Sequence, residues 1–224
     1  MRRVNIAVLA SGGGTNLQAL LDDLDAPDAP GRVALVISNR ADAGALARAR
    51  HAAVPVTTIA PDGRDAETLL AALGAHAVQL AVLAGYLKLV PPAVVHAFAG
   101  RILNIHPALL PAFGGPGMYG RRVHEAVLVS GARLSGVTVH LVDEQFDRGT
   151  IIAQWPVPVH AGDTPDTLAA RVLVAEHRLL VAVVRRACER LARGEPITPF
   201  DLAAEHFGPA ATPSPECHDA MVSA

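Results

Sequence analysis

Apolar residues in the first half of the chain occur in short continuous runs. These runs occupy residues 4–10, 33–38, 56–59, 80–84 and 102–105. Runs rich in leucine and β-branched residues that are apolar on both faces are typical of parallel strands covered above and below. Segments with helical spacing separate them, at 17–24, 43–52, 66–76 and 93–98. The alternation predicts an α/β protein with a doubly wound, mostly parallel sheet, whose ligand crevice lies beyond the carboxyl ends of its strands.

The pattern changes after Pro107. A glycine-rich loop is followed by a short helical pattern at 124–130, strand patterns at 135–142 and 151–159, and a long helical pattern at 166–191. Within 135–142 apolar residues alternate with threonine and histidine, which predicts a strand with one less buried face. Residues 1–200 are expected to form one domain, and 201–224, with three prolines among small and polar residues, a loosely held tail.

Composition excludes several classes of protein. The chain carries 19 Lys and Arg against 21 Asp and Glu, a net charge of -2, and no long basic stretch, which argues against nucleic acid as a partner. No apolar run approaches the roughly 20 residues that cross a bilayer. The two cysteines, Cys188 and Cys217, lack metal-type spacing, so we expect a cytoplasmic protein without a metal or a disulfide framework.

A glycine cluster at 11–17 follows the first predicted strand and opens the first helix. Glycines permit close backbone approach, and free amides at a helix N-terminus favour an anion. The dinucleotide fingerprint would require glycine at Leu17, and the P-loop would require Gly-Lys-Ser/Thr, so the cluster predicts a monophosphate site. The alternative is a glycine-rich turn capped by the side chain of Thr15 or Asn16.

Asn104 and His106 lie two residues apart in the last predicted parallel strand, so they share one of its faces, and Pro107 ends the strand. An amide donor and an imidazole at the carboxyl edge of a sheet can stabilise a developing oxyanion. A nearby carboxylate would orient or charge the imidazole. The loop after residue 142 offers Asp143, Glu144 and Asp147, and spacing alone does not choose among them.

With these motifs in place, the chain resembles the phosphoribosylglycinamide formyltransferase family, folate-dependent enzymes of purine synthesis. The matching motifs, within a resemblance that runs from Val4 to Phe200, are at 11–17, 84–87, 103–111, 136–147 and 175–177. The resemblance implies a Rossmann-like formyltransferase fold. It also implies transfer of the formyl group of 10-formyltetrahydrofolate to the amine of glycinamide ribonucleotide, by a cytoplasmic monomer or homodimer with no metal, nucleic acid or membrane partner.

The resemblance assigns roles to particular residues. It implies that Asn104, His106 and Asp147 are catalytic, with Asp147 favouring a protonated His106. The residues implied at the acceptor are Gly13, Gly14, Thr15, Asn16 and Glu176. The residues implied at the folate are Arg64, Leu87, Lys88, Leu89, Val90, Asp143 and Glu144. The segment 113–124 is longer than its counterpart in the family and contains four glycines, so it predicts either a mobile flap or a tightly packed loop.

Other readings stay open at this point. Related folate enzymes share the three catalytic residues, so these residues do not identify the acceptor substrate. A methionyl-tRNA formyltransferase would be expected to carry a further basic C-terminal domain, and a formyltetrahydrofolate hydrolase an added N-terminal domain. From a different class, a non-catalytic nucleotide-binding module would keep the sheet, but it would not be expected to retain Asn104, His106 and Asp147 together.

Overall fold

The computed structural model describes residues 3–200, and the predicted tail at 201–224 lies outside the described residues. The strands are β1 (Val4–Leu9), β2 (Gly31–Ser38), β3 (Val56–Thr58), β4 (Leu80–Leu83), β5 (Ile102–His106), β6 (Leu134–Leu141) and β7 (Ile151–Pro158). The helices are α1 (Thr15–Leu24), α2 (Gly44–His51), α3 (Ala66–Ala75), α4 (Pro92–Ala97), α5 (Arg121–Val129) and α6 (Pro165–Ala192). Every element predicted from the sequence is present, with its ends moved by a few residues.

All described strands belong to one sheet, in the order β3-β2-β1-β4-β5-β6-β7. The first five of these are parallel, whereas β6 runs antiparallel to both β5 and β7. Strand order reverses between β1 and β4, which confirms the doubly wound α/β fold and places a crevice at their carboxyl ends. The loops that follow these two strands are joined there, because the Ser11 amide donates to the Gly85 carbonyl at 3.0 Å.

Both faces of the sheet are covered, which explains the continuous apolar runs. In β1, Ile6 and Val8 enter one core while Ala7 and Leu9 enter the other. Helices α1, α2, α5 and α6 cover the first core, and α3 and α4 cover the second. A parallel strand between two helical layers therefore has no polar face.

The expectation of a less buried face on β6 is wrong. Thr138 and His140, on the polar face of the strand, are 0% and 2% exposed. The chain that leaves β5 folds back over this face, where the Thr138 hydroxyl donates to the Ala108 carbonyl at 2.7 Å and accepts from the Leu110 amide at 3.0 Å. Thr138 is thus buried because the loop after β5 supplies its hydrogen-bond partners.

Candidate active site

Strand register places three polar side chains together at the carboxyl end of β5. Asn104 and His106 share one face of that strand, and His140 of β6 lies directly opposite Asn104 in the antiparallel ladder. The Asn104 amide nitrogen lies 3.0 Å from Nε2 of His140. Sequence reasoning missed His140, although its position among the polar residues of an alternating strand was a signal that it shared a face with Thr138.

Asp147 completes the cluster from the loop between β6 and β7. Its Oδ2 lies 3.6 Å from Nδ1 of His106 and its Oδ1 lies 3.6 Å from Nε2 of His140. The Asn104 amide also donates to Oδ1 at 3.4 Å, and the Gly115 amide donates to Oδ2 at 2.8 Å. The structure therefore brings together the three residues that were predicted to be catalytic.

Hydrogen bonds to carbonyl oxygens show which ring nitrogen of each imidazole carries a hydrogen. Nε2 of His106 lies 2.9 Å from the Phe113 carbonyl, and Nδ1 of His140 lies 2.8 Å from the Leu141 carbonyl. A carbonyl only accepts, so each of these nitrogens carries the hydrogen. His140 then accepts from Asn104 through Nε2, and His106 turns Nδ1 toward Asp147.

Two opposing effects act on the pKa of His106 in the free protein. Burial lowers the pKa of His106 below its ordinary value of 6.5, and the charge of Asp147 and the Phe113 carbonyl, which raise this pKa, do not offset burial. Burial raises the pKa of Asp147 in turn, but the contacts with His140, His106 and the Gly115 amide outweigh it, so this pKa lies below its ordinary value. The resting site therefore pairs a neutral imidazole with a carboxylate.

The other two candidate carboxylates have different partners. Asp143 accepts from the Gln145 amide at 2.8 Å, and Glu144 lies 2.6 Å from Nε2 of His96 on α4. Neither side chain lines the cavity that contains Asp147. Their predicted contact with the folate stays a prediction.

A cavity of about 580 Å³ contains the polar cluster of Asn104, His106, His140 and Asp147. Of the residues predicted at the folate, those that line it are Leu87, Lys88, Leu89 and Val90. Leu87, Leu89 and Phe146 are 45%, 40% and 39% exposed, so they offer a partly exposed apolar surface to a flat ligand. Arg64 is exposed and does not line this cavity, so the structure does not bring it to the site, and its role stays a prediction.

The glycine cluster borders the same cavity through Gly12 and Asn16. Gly14 is the N-cap of α1, with φ 76° and ψ 32°, and no side chain caps the helix, so the alternative of a Thr15 or Asn16 cap is wrong. The backbone amides of residues 12–17 make no hydrogen bond to another described residue. Unpaired amides at a helix N-terminus suit an anion.

Glu176 of α6 contacts Asn16 of the glycine cluster. Asn16 donates to its carboxylate at 2.9 Å, and Oδ1 of Asn16 is buried without a partner among the described residues. Burial raises the pKa of Glu176, and the bond from Asn16 acts the other way. This pair of acceptor atoms would be satisfied by a ligand that donates hydrogens, such as an amine.

His124 is a second site residue that sequence reasoning did not identify. It lies in the first half of α5, is 5% exposed and lines the cavity, and its Nδ1 has no partner among the described residues. Burial lowers its pKa, and so does the nearby His106. His124 is therefore the third histidine that lines the cavity, after His106 and His140.

Two features are absent from residues 3–200. In that part of the chain, no helix is long and apolar enough to cross a membrane. No group of three or more His, Cys, Asp or Glu side chains there is arranged to hold a metal ion.

The fold and the site together define an α/β protein whose site has the groups that acyl transfer requires. A donor amide, an imidazole and a carboxylate meet at the carboxyl edge of the sheet, beside a turn with free amides. Residues 4–184 match the formyl transferase family, and the chain belongs to this family and, within it, to the phosphoribosylglycinamide formyltransferases.

Individual relatives support this membership. The chain is 47% identical over 194 residues to the chloroplastic phosphoribosylglycinamide formyltransferase of Arabidopsis thaliana, covering 84% of this chain and 66% of the plant protein, which is just under two thirds of its length. It is 41% identical to the Escherichia coli phosphoribosylglycinamide formyltransferase, covering 81% and 85% of the two chains. The crystal structure of that enzyme from Anaplasma phagocytophilum matches with a TM-score of 0.79 at 34% identity, covering 84% and 88%.

Proposed function

We propose that this chain transfers the formyl group of 10-formyltetrahydrofolate to the amine of 5′-phosphoribosylglycinamide. The products are 5′-phosphoribosyl-N-formylglycinamide and tetrahydrofolate, and the reaction belongs to de novo purine synthesis. The proposal includes a cytoplasmic setting and a monomer or homodimer that acts on small molecules alone.

One observation carries the proposal: a single cavity joins two different binding surfaces with the polar cluster between them. Asn16 and Glu176 border it from the face of the sheet covered by α1 and α6. Leu89 and Val90 border it from the loop before α4, on the opposite face. An anionic acceptor and a flat apolar donor can therefore meet at Asn104, which lies at the edge between the two faces.

Asn104 is placed to stabilise the oxygen that gains charge when an amine attacks the formyl carbon. Its amide has two hydrogens, and the bond to Asp147 at 3.4 Å is longer than the contact with His140 at 3.0 Å. The weaker bond is the one that we expect to turn toward substrate. A donor aimed at the developing oxyanion is worth roughly 10²–10³ in rate.

His106 is placed to move the proton. Its Nε2 hydrogen is held by the Phe113 carbonyl, so Nδ1 is the nitrogen with a free electron pair. Nδ1 takes a proton from the attacking amine, and the charge of Asp147 at 3.6 Å then stabilises the imidazolium. The same proton is available for the departing folate nitrogen, so one residue serves both proton transfers.

The test mixes the purified protein with 10-formyltetrahydrofolate and follows tetrahydrofolate by its absorbance. We expect turnover only when glycinamide ribonucleotide is added, and none when methionyl-tRNA replaces it. Formyl loss without an acceptor would make the chain a hydrolase. Folate binding without turnover under any of these conditions would make it a binding module.

A further inference from the structure

The carbonyl oxygens of Gly12, Gly13 and Gly14 all accept hydrogen bonds, whereas the amides of these three glycines donate none to another described residue. The Gly12 carbonyl accepts from the backbone amide of Ala45 at 3.1 Å, in the first turn of α2. The Gly13 carbonyl accepts from Nε of Arg48 at 2.8 Å, one turn further along the same helix. Helix α2 therefore holds two successive carbonyls of the cluster, one through its backbone and one through a side chain.

Arg48 also connects the cluster to α1. Its Nη1 donates to the side-chain oxygen of Gln18 at 3.1 Å, and the Gln18 amide donates to the Gly14 carbonyl at 2.9 Å. One guanidinium thus bridges the turn and the helix that the turn opens. The fork of donors in arginine can make both contacts in one plane, whereas the single ammonium of lysine lacks this geometry.

The turn packs directly against α2, so its path has no freedom on that side. A Cβ at Gly14 would lie 2.7 Å from the Cα of Ala45, and a Cβ at Gly44 would lie 3.2 Å from the Gly13 carbonyl oxygen. A Cβ at Gly12 or Gly13 would meet nothing within 4 Å. Gly12 and Gly13 are therefore open where a side chain would project.

The engaged carbonyls determine where the amides point. The carbonyl and the amide of one trans peptide unit point in opposite directions. With the carbonyls of Gly12 and Gly13 held against α2, the amides of Gly13 and Gly14 must face away from that helix, toward an incoming anion. The partners of Arg48 are uncharged oxygens, and it forms no ion pair among the described residues, so no carboxylate neutralises its positive charge there.

We propose that Arg48 is a positioning residue for the phosphate of the acceptor. It holds the Gly13 carbonyl against α2, which aims the amides of Gly13 and Gly14 at the phosphate, and it adds an uncompensated positive charge beside them. This proposal rests on the proposed function, because it takes the glycine cluster as the site of the acceptor's phosphate.

The experiment compares two acceptors in three variants. Arg48→Met removes the clamp and the charge, Arg48→Lys keeps only the charge, and Arg50→Met removes a charge from an exposed position on the same helix. Steady-state kinetics would use glycinamide ribonucleotide and its dephosphorylated nucleoside. In Arg48→Met we expect KM for the ribonucleotide to rise about 10- to 100-fold, the scale of hydrogen bonds to charged groups.

The other kinetic parameters distinguish a loss of phosphate binding from a general loss of activity. We expect kcat, KM for the formyl folate, and turnover of the nucleoside to stay within about twofold of wild type in Arg48→Met, since the reacting groups are untouched. Arg48→Lys should recover only part of the loss, and Arg50→Met should behave as wild type. A similar loss with both acceptors, an unchanged KM, or full recovery in Arg48→Lys would each overturn the proposal.

A binding measurement separates this proposal from the proposed function. If the wild-type protein shows no acceptor-dependent turnover, the proposed function fails by itself. Ribose 5-phosphate then serves as the probe, and we expect it to raise the melting temperature of wild type and of Arg50→Met but not of Arg48→Met. An equal rise in all three proteins would refute the role of Arg48, and the same assay applies if a variant is too unstable for kinetics.

Discussion

The two sides of the active site are held in place by different means. Asn104, His106 and His140 lie on paired strands, where the register of the β5–β6 ladder fixes their spacing. Asp147 lies in a loop with φ 56°, a left-handed conformation that is uncommon for residues other than glycine. Which face of a strand a side chain occupies follows from its local spacing, whereas the loop depends on contacts from elsewhere in the chain.

The glycine-rich segment supplies those contacts. The Gly115 amide donates to Asp147, and a Cβ at Gly114 would lie 3.2 Å from the Cβ of Asp147 and 2.5 Å from Leu110. Gly117 and Gly120, by contrast, have open space around them and a positive φ. Of the two expectations for this segment, the tightly packed loop fits Gly114, which determines where the carboxylate lies.

The largest fall in kcat is expected from removing the charge of Asp147, through which the loop side of the active site contacts the strand side. Asp147→Asn keeps the shape of the side chain but takes away the carboxylate that stabilises an imidazolium at His106. We expect kcat to fall by roughly 10³-fold, within the range for the loss of acid–base assistance. Rapid-quench measurement of formyl transfer, with folate affinity measured by fluorescence, checks this.

The matched control for Asp147→Asn is Asp143→Asn, four residues earlier in the same loop, whose side chain accepts from the Gln145 amide. It should keep kcat within about threefold of wild type, as expected for a substitution away from the reacting groups. A comparable fall in both variants would show that charge in this loop matters in general, and the specific role of Asp147 would be lost.

A smaller effect is expected from the strand side. Asn104→Ala removes the donor for the oxyanion and leaves β5 in register, so kcat should fall by roughly 10²–10³-fold with little change in folate affinity. The dissociation constant of the folate and the far-ultraviolet circular dichroism spectrum provide the controls. Turnover close to that of wild type would remove Asn104 from the mechanism.

The strand side of the site was also the more predictable one. Asn104 and His106 could be assigned to one face from a two-residue spacing, and the resemblance then supplied Asp147. His140 could not be assigned, because the sequence does not show that β6 pairs with β5 in a register that places it opposite Asn104. His124 was missed for a related reason, since its burial depends on how α5 packs after an extended loop.

The same distinction applies to the fold. Both cores could be anticipated from continuous apolar runs, because local composition reports whether a strand is covered on both faces. The buried face of β6 could not, since its cover is the chain at Ala108 and Leu110, some 30 residues earlier in sequence. Polar residues that are buried by distant backbone groups carry no local signal of their burial.

The loop side can be perturbed without touching a charged group. Gly114→Ala places a methyl group against Leu110 and Asp147, so the carboxylate must shift by a few tenths of an ångström. We expect kcat to fall by about tenfold, less than the roughly 10²-fold that a displacement of 1 Å costs. Gly74→Ala in α3, where a Cβ meets nothing within 4 Å, is the control and should leave kcat unchanged.

The smallest expected effect is the change of kcat/KM with pH, which tests the imidazole of His106 on β5. Because burial holds the pKa of His106 below 6.5, its neutral form persists into mildly acidic solution. An ordinary histidine would lose about tenfold of its neutral form between pH 7.5 and pH 5.5, so kcat/KM should fall by less than this. The free energy of unfolding should also decline as pH falls below 6.5, the ordinary pKa of histidine. The reason is that the unfolded chain binds this proton more readily than the folded protein does.

Titration of His106 by nuclear magnetic resonance provides the direct measurement. In the free protein we expect a midpoint below 6.5, and in Asp147→Asn a lower midpoint still, because the charge that raises this pKa has been removed. A midpoint above the pH of the assay would mean that the resting imidazole is protonated, and His106 would then begin the reaction as an acid. An equal midpoint in the two proteins would show that the loop-borne carboxylate does not act on the strand-borne imidazole at all.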